Sequence, residues 1–250
     1  MRYTSNVIRS WLATASILGS MTMASHAGPG DAQVLPINSN PYGKSYGQWA
    51  VAWWQWAFSI PAATNPLLDT TGEFAGVGQS GPVWFLGGTF ADSAERTFSV
   101  PSGKAIFLPV HQWIFGSCAG DCDPTNPGVP CDVPTLRASA AAAATAVTVM
   151  EVSIDGRAIA HLNNFRAPSP DSFSVNLPPG NVVEFLGLTA PAGIYDPQVT
   201  DGYWLMLAPL NAGAHTIRIH SVNPSFGLNY TLVCHIQVTA GKSGSAPSKN

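Results

Sequence analysis

Residues 46–61, "YGQWAVAWWQWAFSIP", place four tryptophans within eight positions, and the reading of this stretch decides the fold. Ser45 in front of it suits an N-cap and Pro61 behind it stops a helix, so a helix of about three turns ending near Phe58 is expected. Trp49, Trp53 and Trp56 fall at i, i+4 and i+7 and share one face, whereas strand alternation fails at "AWWQW". An amphipathic helix normally turns its apolar stripe inward. Each indole buried there hides roughly 200 Å² and contributes several kcal/mol at about 25 cal/mol per Å². Trp54 and Phe58 form a neighbouring stripe, which leaves Trp54, Gln55 and the nearby "SGPVW" to line whatever surface remains.

The N-terminus stands apart from that fold. Arg2 and Arg9 precede the uncharged run "WLATASILGSMTMA" and the small residues "SHA", the pattern of a secretory signal peptide over residues 1–27. The run is shorter than the ~20 apolar residues of a spanning helix, and no later segment qualifies, so no membrane span is expected after cleavage. Setting aside Arg2 and Arg9 leaves 9 basic against 14 acidic residues. That balance offers no basic stripe for a nucleic acid. Charged residues make up only 10% of the chain, against 24 Gly and 21 Pro, which points to a tight, turn-rich β protein.

Residues 28–44 read as an extended lead-in, 45–239 as a single domain and 240–250, "AGKSGSAPSKN", as a disordered tail. Within the domain, short apolar runs alternate with turns. "VWFL", "RTFSV", "KAIFLPV", "SFSVNL", "YWLMLAPL", "HTIRIHSV" and "YTLVCHIQV" read as strands, and Asp155-Gly156 joins two more as a hairpin. Asp132 and Pro134 suit the start of a second helix through "TLRASAAAAATA". The expected fold is mainly β: an antiparallel sandwich, jelly-roll or immunoglobulin-like, with one or two packed helices.

The four cysteines, Cys118, Cys122, Cys131 and Cys234, are disulfide candidates in an exported chain, and three pairings are open. Cys234 equally suits a buried free thiol. "CAGDCDPTNPGVPC" lacks the paired spacing of a zinc site, and no HxH or HExxH pattern is present. Asp121, Asp123 and Asp132, with Asn126, supply hard oxygens of the kind calcium prefers; otherwise no cofactor is expected. His215 and His220 lie five apart, so strand alternation sends them to opposite faces.

"QWAVAWWQWAFSIPAATNPLLDTTG", "GQSGPVWFLGGTF", "VPSGKAIFLPV" and "DGYWLMLAPLNAGAHTIRI" resemble blocks in a family of exported bacterial and archaeal proteins, over residues 46–238. The resemblance implies export and common descent and transfers no catalytic role. In that family an asparagine often stands at the position of His111. The "AGAHTIRI" block is also similar to the closing strands of immunoglobulin-like domains, which implies a fold and not an activity.

These residues suggest a secreted or periplasmic protein that binds a carbohydrate or another cell-envelope ligand on aromatic side chains. The candidate contacts are Trp54, Trp84, Trp113, Tyr195, Tyr203 and Trp204. The competing expectation is a hydrolase or lyase acting on a polysaccharide through carboxylates and histidine. Its candidates are His111, His215 and Asp201, with Asp69/Glu73 and Asp196/Asp201 as the suggestive acidic pairs. No G-x-S-x-G elbow, P-loop or dinucleotide fingerprint supports it. A structural envelope or matrix protein is the third expectation.

Overall fold

The computed structural model describes residues 32–126 and 128–239. The signal-peptide and tail readings, at 1–27 and 240–250, lie outside them. Among the described residues nine strands follow in chain order: β1 (Val83–Phe85), β2 (Ser93–Pro101), β3 (Ala105–Gly116), β4 (Val149–Ile154), β5 (Arg157–Ala158), β6 (Phe173–Leu177), β7 (Gly193–Leu207), β8 (Gly213–Asn223) and β9 (Leu228–Thr239). They form a four-stranded sheet in the order β1-β3-β7-β6 and a five-stranded sheet in the order β2-β9-β8-β4-β5. Three helices accompany them: α1 (Tyr46–Phe58), α2 (Val133–Thr145) and the four-residue α3 (Val182–Phe185).

The expectation of an antiparallel sandwich is corrected in one respect. β1 pairs with β3 in parallel, and β2 with β9 in parallel, so both sheets are mixed. The cause is the path of the chain: after β1 it crosses to the other sheet to make β2, and the turn through Ser102-Gly103 returns it as β3 beside β1. "VPSGK" therefore links two sheets and closes no hairpin. The Asp155-Gly156 turn, by contrast, does join β4 and β5, with both residues at positive φ.

Helix α1 forms where its end signals place it. Ser45 Oγ accepts from Gln48 N and Gln48 Oε1 accepts from Ser45 N, a reciprocal box that satisfies two amide donors. Its buried face lies on the four-stranded sheet, and the five-stranded sheet covers that sheet's other face. Three layers result. Along β3, Ala105 and Phe107 point to the helix while Ile106, Leu108 and Val110 point to the second sheet. Along β7, Trp204 and Met206 meet the helix and Tyr203, Leu205 and Leu207 meet the second sheet. Both phases of these strands are thus buried, which explains their near-continuous apolar runs.

Each indole N–H of α1 has an acceptor: Trp49 on Pro41 O (2.9 Å), Trp53 on Leu86 O (2.8 Å), Trp54 on Thr200 Oγ1 (2.8 Å) and Trp56 on Val77 O (3.0 Å). Trp53 is fully buried, edge-on to Trp204, which stacks on Phe107 at 5.2 Å between ring centroids. The indoles hold the helix to the sheet through apolar area, and the satisfied N–H groups remove the cost of hiding them.

Asp132 caps α2 by accepting from Thr135 N, as its position suggests. Cys122 and Cys131 form a disulfide that staples the loop before it, while Cys118 and Cys234 are buried free thiols. Among the described residues no helix is long and apolar enough to cross a membrane.

Candidate functional site

One cleft of about 440 Å³ opens between helix α1 and the end of β3, within the size range of small-molecule sites. Trp53, Trp54 and Phe58 of α1 and His111–Ile114 of β3 line its inner side. Three segments complete it: the stretch after β1 (Gly88–Asp92), the stretch after α3 (Leu186 and Leu188), and Phe226 of the β8–β9 turn with the first residues of β9 (Leu228–Tyr230).

Its floor is held by hydrogen bonds. Trp54 Nε1 donates to Thr200 Oγ1, whose hydroxyl donates to Trp113 O at 2.6 Å. Trp113 Nε1 donates to His111 Nε2 at 2.9 Å, and its ring packs on Phe226 at 4.2 Å between centroids. A bulge between Pro109 and His111 turns His111 toward β8, so that it follows Val110 into the space between the sheets. There Ser221 Oγ lies 3.0 Å from His111 Nδ1, and Asn223 Nδ2 lies 3.1 Å from Nε2. The indole N–H only donates, so Nε2 is unprotonated and Nδ1–H points to Ser221. His111 is neutral, and burial holds its pKa down at about 4. Gly202 on the paired strand makes the close packing feasible: a Cβ there would meet His111 O and lie 2.6 Å from Gln112 Cα.

The outer wall has a less obvious support. Arg96 is buried in the core side of β2 and donates to Asp69 O, Gly87 O and Gly88 O at 2.7, 2.7 and 2.8 Å. It fixes the backbone from which Thr89 and Phe90 project. Asp69 itself accepts from Thr71, Gly72 and Phe74 amides and shapes the preceding turn.

Only two of the six aromatic contact candidates reach the cleft: Trp54 on its floor and Trp113, partly exposed, on its wall. Trp204 is fully buried under α1, and Tyr203 is buried toward the second sheet. Trp84 stacks on Phe98 in the sheet-to-sheet core. Those three are corrected to core residues, because helix and second sheet enclose both faces of their strands. Tyr195 is partly exposed elsewhere, its hydroxyl donating to Pro191 O.

His111, His215 and Asp201 do not come together. His215 is six residues before Ser221 along β8, about 20 Å at ~3.3 Å per residue. Its ring nitrogens meet Asp155 Oδ2 (2.8 Å) and Asn211 O (2.9 Å). Asp201 receives Arg166 in a fork at 3.1 and 2.7 Å, a pair that ties the segment before β6 to β7. Nor do Asp121, Asp123 and Asp132 form a calcium cage. Asp121 accepts from Gly116 N, Asp123 from Thr125 and Asp132 from Thr135, so each carboxylate is used within its own turn. Among the described residues no group of three His, Cys, Asp or Glu is placed to hold a metal.

The rim of the cleft was not singled out from the sequence. Phe90, Leu186, Leu188, Phe226 and Leu228 are five of the nine large apolar side chains exposed among the described residues, and all five line this one cleft. The available signal was apolar residues inside turn-rich segments, "GGTFAD", "EFLGLTA" and "PSFGLNY".

No protein-family profile matches the chain, and no curated protein matches it. Among solved structures, a chain from "Structure of PbICP-C in complex with falcipain-2" is similar at 11% identity, covering 64% of this chain and 100% of that one, with a TM-score of 0.25. A likeness that low carries no argument about function.

Proposed function

We propose that the protein is an exported binding protein that holds a small, largely apolar cell-envelope ligand in the cleft between α1 and β3. The observation that carries this reading is the gathering of Phe90, Leu186, Leu188, Phe226 and Leu228 around a concave site floored by indole. Scattered exposed apolar side chains are ordinary, but a contiguous patch at a cleft marks a surface that something covers. Fully burying one such side chain is worth roughly 1.5–3 kcal/mol, so covering even half of each would give a ligand useful affinity. Secretion or a periplasmic location rests on the N-terminal pattern, and the Cys122–Cys131 disulfide agrees with an oxidising compartment. An immunoglobulin-like type for the sandwich rests on the "AGAHTIRI" block, which forms most of β8 and pairs with β9.

A glycan is the second reading, favoured by the partly exposed Trp113 ring beside Thr89, Asp92 and Asn229 in the same cleft. It ranks lower because a sugar carries a hydroxyl on nearly every carbon, and the cleft offers few polar side chains to meet them. For the hydrolase or lyase reading the cleft offers a single carboxylate, Asp92, among its described lining residues.

The neutral fluorophore N-phenyl-1-naphthylamine tests the proposal. It should bind the wild-type protein, and Leu188→Asp and Phe226→Asp should each abolish that binding with the thermal midpoint unchanged. Equal binding by both variants would overturn the assignment of the cleft as the site.

A further inference from the structure

The charge around the cleft is one-sided. Asp92 is the only formally charged residue among its described lining residues, and no lysine or arginine is among them. Its side chain is exposed and makes no hydrogen bond or ion pair with another described residue. Thr231 N donates to Asp92 O at 2.9 Å and so fixes the acidic residue against β9. Aromatic rings stand open in the same cleft: Phe90 and Phe226 are exposed, and Trp113, packed on Phe226, is partly so. The face of a ring is electron-rich and attracts a cation, most strongly on tryptophan. The floor adds no opposing charge, since His111 is neutral, with Nε2 accepting from Trp113 and Asn223. Arg96 lies behind the wall, its guanidinium given to three backbone carbonyls with the Asp69 carboxylate close by.

Resting on the reading of the cleft as a ligand site, we infer that its ligand is a cationic amphiphile. A quaternary ammonium head lies between the Asp92 carboxylate and the rings of Phe90, Trp113 and Phe226, and an apolar chain runs along Leu186 and Leu188. A primary ammonium brings three N–H donors, and Asp92 is the one anionic acceptor the cleft offers them. A quaternary ammonium brings none, and it spreads its charge over methyl groups that pack on ring faces. An anionic head fares worst: it meets Asp92 and the negative ring faces, and no cation lines the cleft to receive it. The volume of about 440 Å³ has room for on the order of 15 groups of water or methylene size, enough for a ten-carbon chain and such a head.

Displacement of N-phenyl-1-naphthylamine at pH 8 and low ionic strength tests this. The competitors are decyltrimethylammonium, decylammonium, 1-monodecanoylglycerol and decanoate, each below its aggregation concentration. The quaternary ion is expected to compete about fivefold or more tightly than the neutral ester, and decanoate to compete least. Asp92→Asn should weaken the quaternary ion by about two- to fivefold, lessen its sensitivity to salt and leave the ester unchanged. Phe226→Leu keeps an apolar side chain but removes a ring, and it should weaken the quaternary ion by about the same factor and the ester by less. The ester or decanoate competing as well as the quaternary ion overturns the cationic head while the cleft remains a site. So does a preference for the quaternary ion that survives both substitutions in proteins that melt normally. Decylammonium competing more tightly than decyltrimethylammonium overturns the quaternary head. No binding of the fluorophore to the wild-type protein, with no heat from any of the four amphiphiles on calorimetric titration, overturns both the inference and the reading it rests on.

Discussion

His111 packs against strand β8 and His215 lies within it, yet their surroundings drive the two rings in opposite directions. At the cleft floor, His111 Nε2 faces two donors, Trp113 Nε1–H and Asn223 Nδ2–H, and the ring stays neutral. At the far end of the strand, His215 faces two acceptors, Asp155 Oδ2 and Asn211 O, and only an imidazolium supplies a hydrogen to each. Burial works against charge in both places. Around His215 the Asp155 carboxylate and the Asn211 carbonyl outweigh it and raise the pKa, whereas around His111 nothing opposes it. Two residues of one type, one on each sheet, are pushed toward opposite protonation by what their neighbours donate or accept. The neutral one sits where a charge would spoil an apolar site.

The largest expected effect comes from removing the neutral ring. His111→Leu leaves Trp113 Nε1 and Asn223 Nδ2 without their shared acceptor and Ser221 without its donor, at ~1–3 kcal/mol for each buried group stranded. Urea unfolding should show a loss of about 3 kcal/mol or more, and a loss under about 1 kcal/mol would show the network to be slack. Acid should act on the same residue. The unfolded ring takes its proton near pH 6.5 and the folded one only at about 4, so the unfolded state binds more protons in between. Stability should therefore fall as pH drops through that window, by roughly 3 kcal/mol at about 1.36 kcal/mol per pH unit. His111→Asn, measured over the same range, should lack this part of the loss.

His215 should respond with the opposite sign. Its folded pKa is raised, so the contact stabilises fully below the unfolded value of 6.5 and fades as pH rises through the folded value. Asp155→Asn should bring the NMR titration of His215 down, with a stability change under ~1 kcal/mol for so peripheral a pair. An unmoved titration would break the contrast between the two rings. The smallest effect is expected at His235, which meets Glu95 on the exposed face of the second sheet. His235→Gln should shift the unfolding free energy by less than about 0.5 kcal/mol, a value typical of surface positions.

How far each region was legible in advance follows from how local its causes are. Helix α1, its Ser45 cap and the inward turn of Trp49, Trp53 and Trp56 could be read from spacing, because cap and period are properties of neighbouring residues. The same holds for the Asp132 cap and the Asp155-Gly156 turn. Trp84, Tyr203 and Trp204 looked free for a ligand because alternation assigns one face of a strand to solvent. A second sheet and a helix on opposite sides of β7 left no such face for Tyr203 or Trp204, and no local pattern announces a third layer. The cleft was hidden for a similar reason, since its rim comes from segments some 140 positions apart between Phe90 and Leu228. Arg96 carried no signal at all: its three acceptors are backbone carbonyls, which every residue possesses.

The sequence by itself determined the β-rich texture, the tryptophan helix and its ends, and the disulfide-stapled loop as one of several pairings, because caps, turns and periodicity act over a few residues. Only the tertiary structure decided which strands run parallel, which aromatic rings are sealed and which meet the cleft, and whether a histidine carries charge. Those outcomes depend on which distant backbone or side chain arrives within hydrogen-bond reach, and that is settled by packing the layers together.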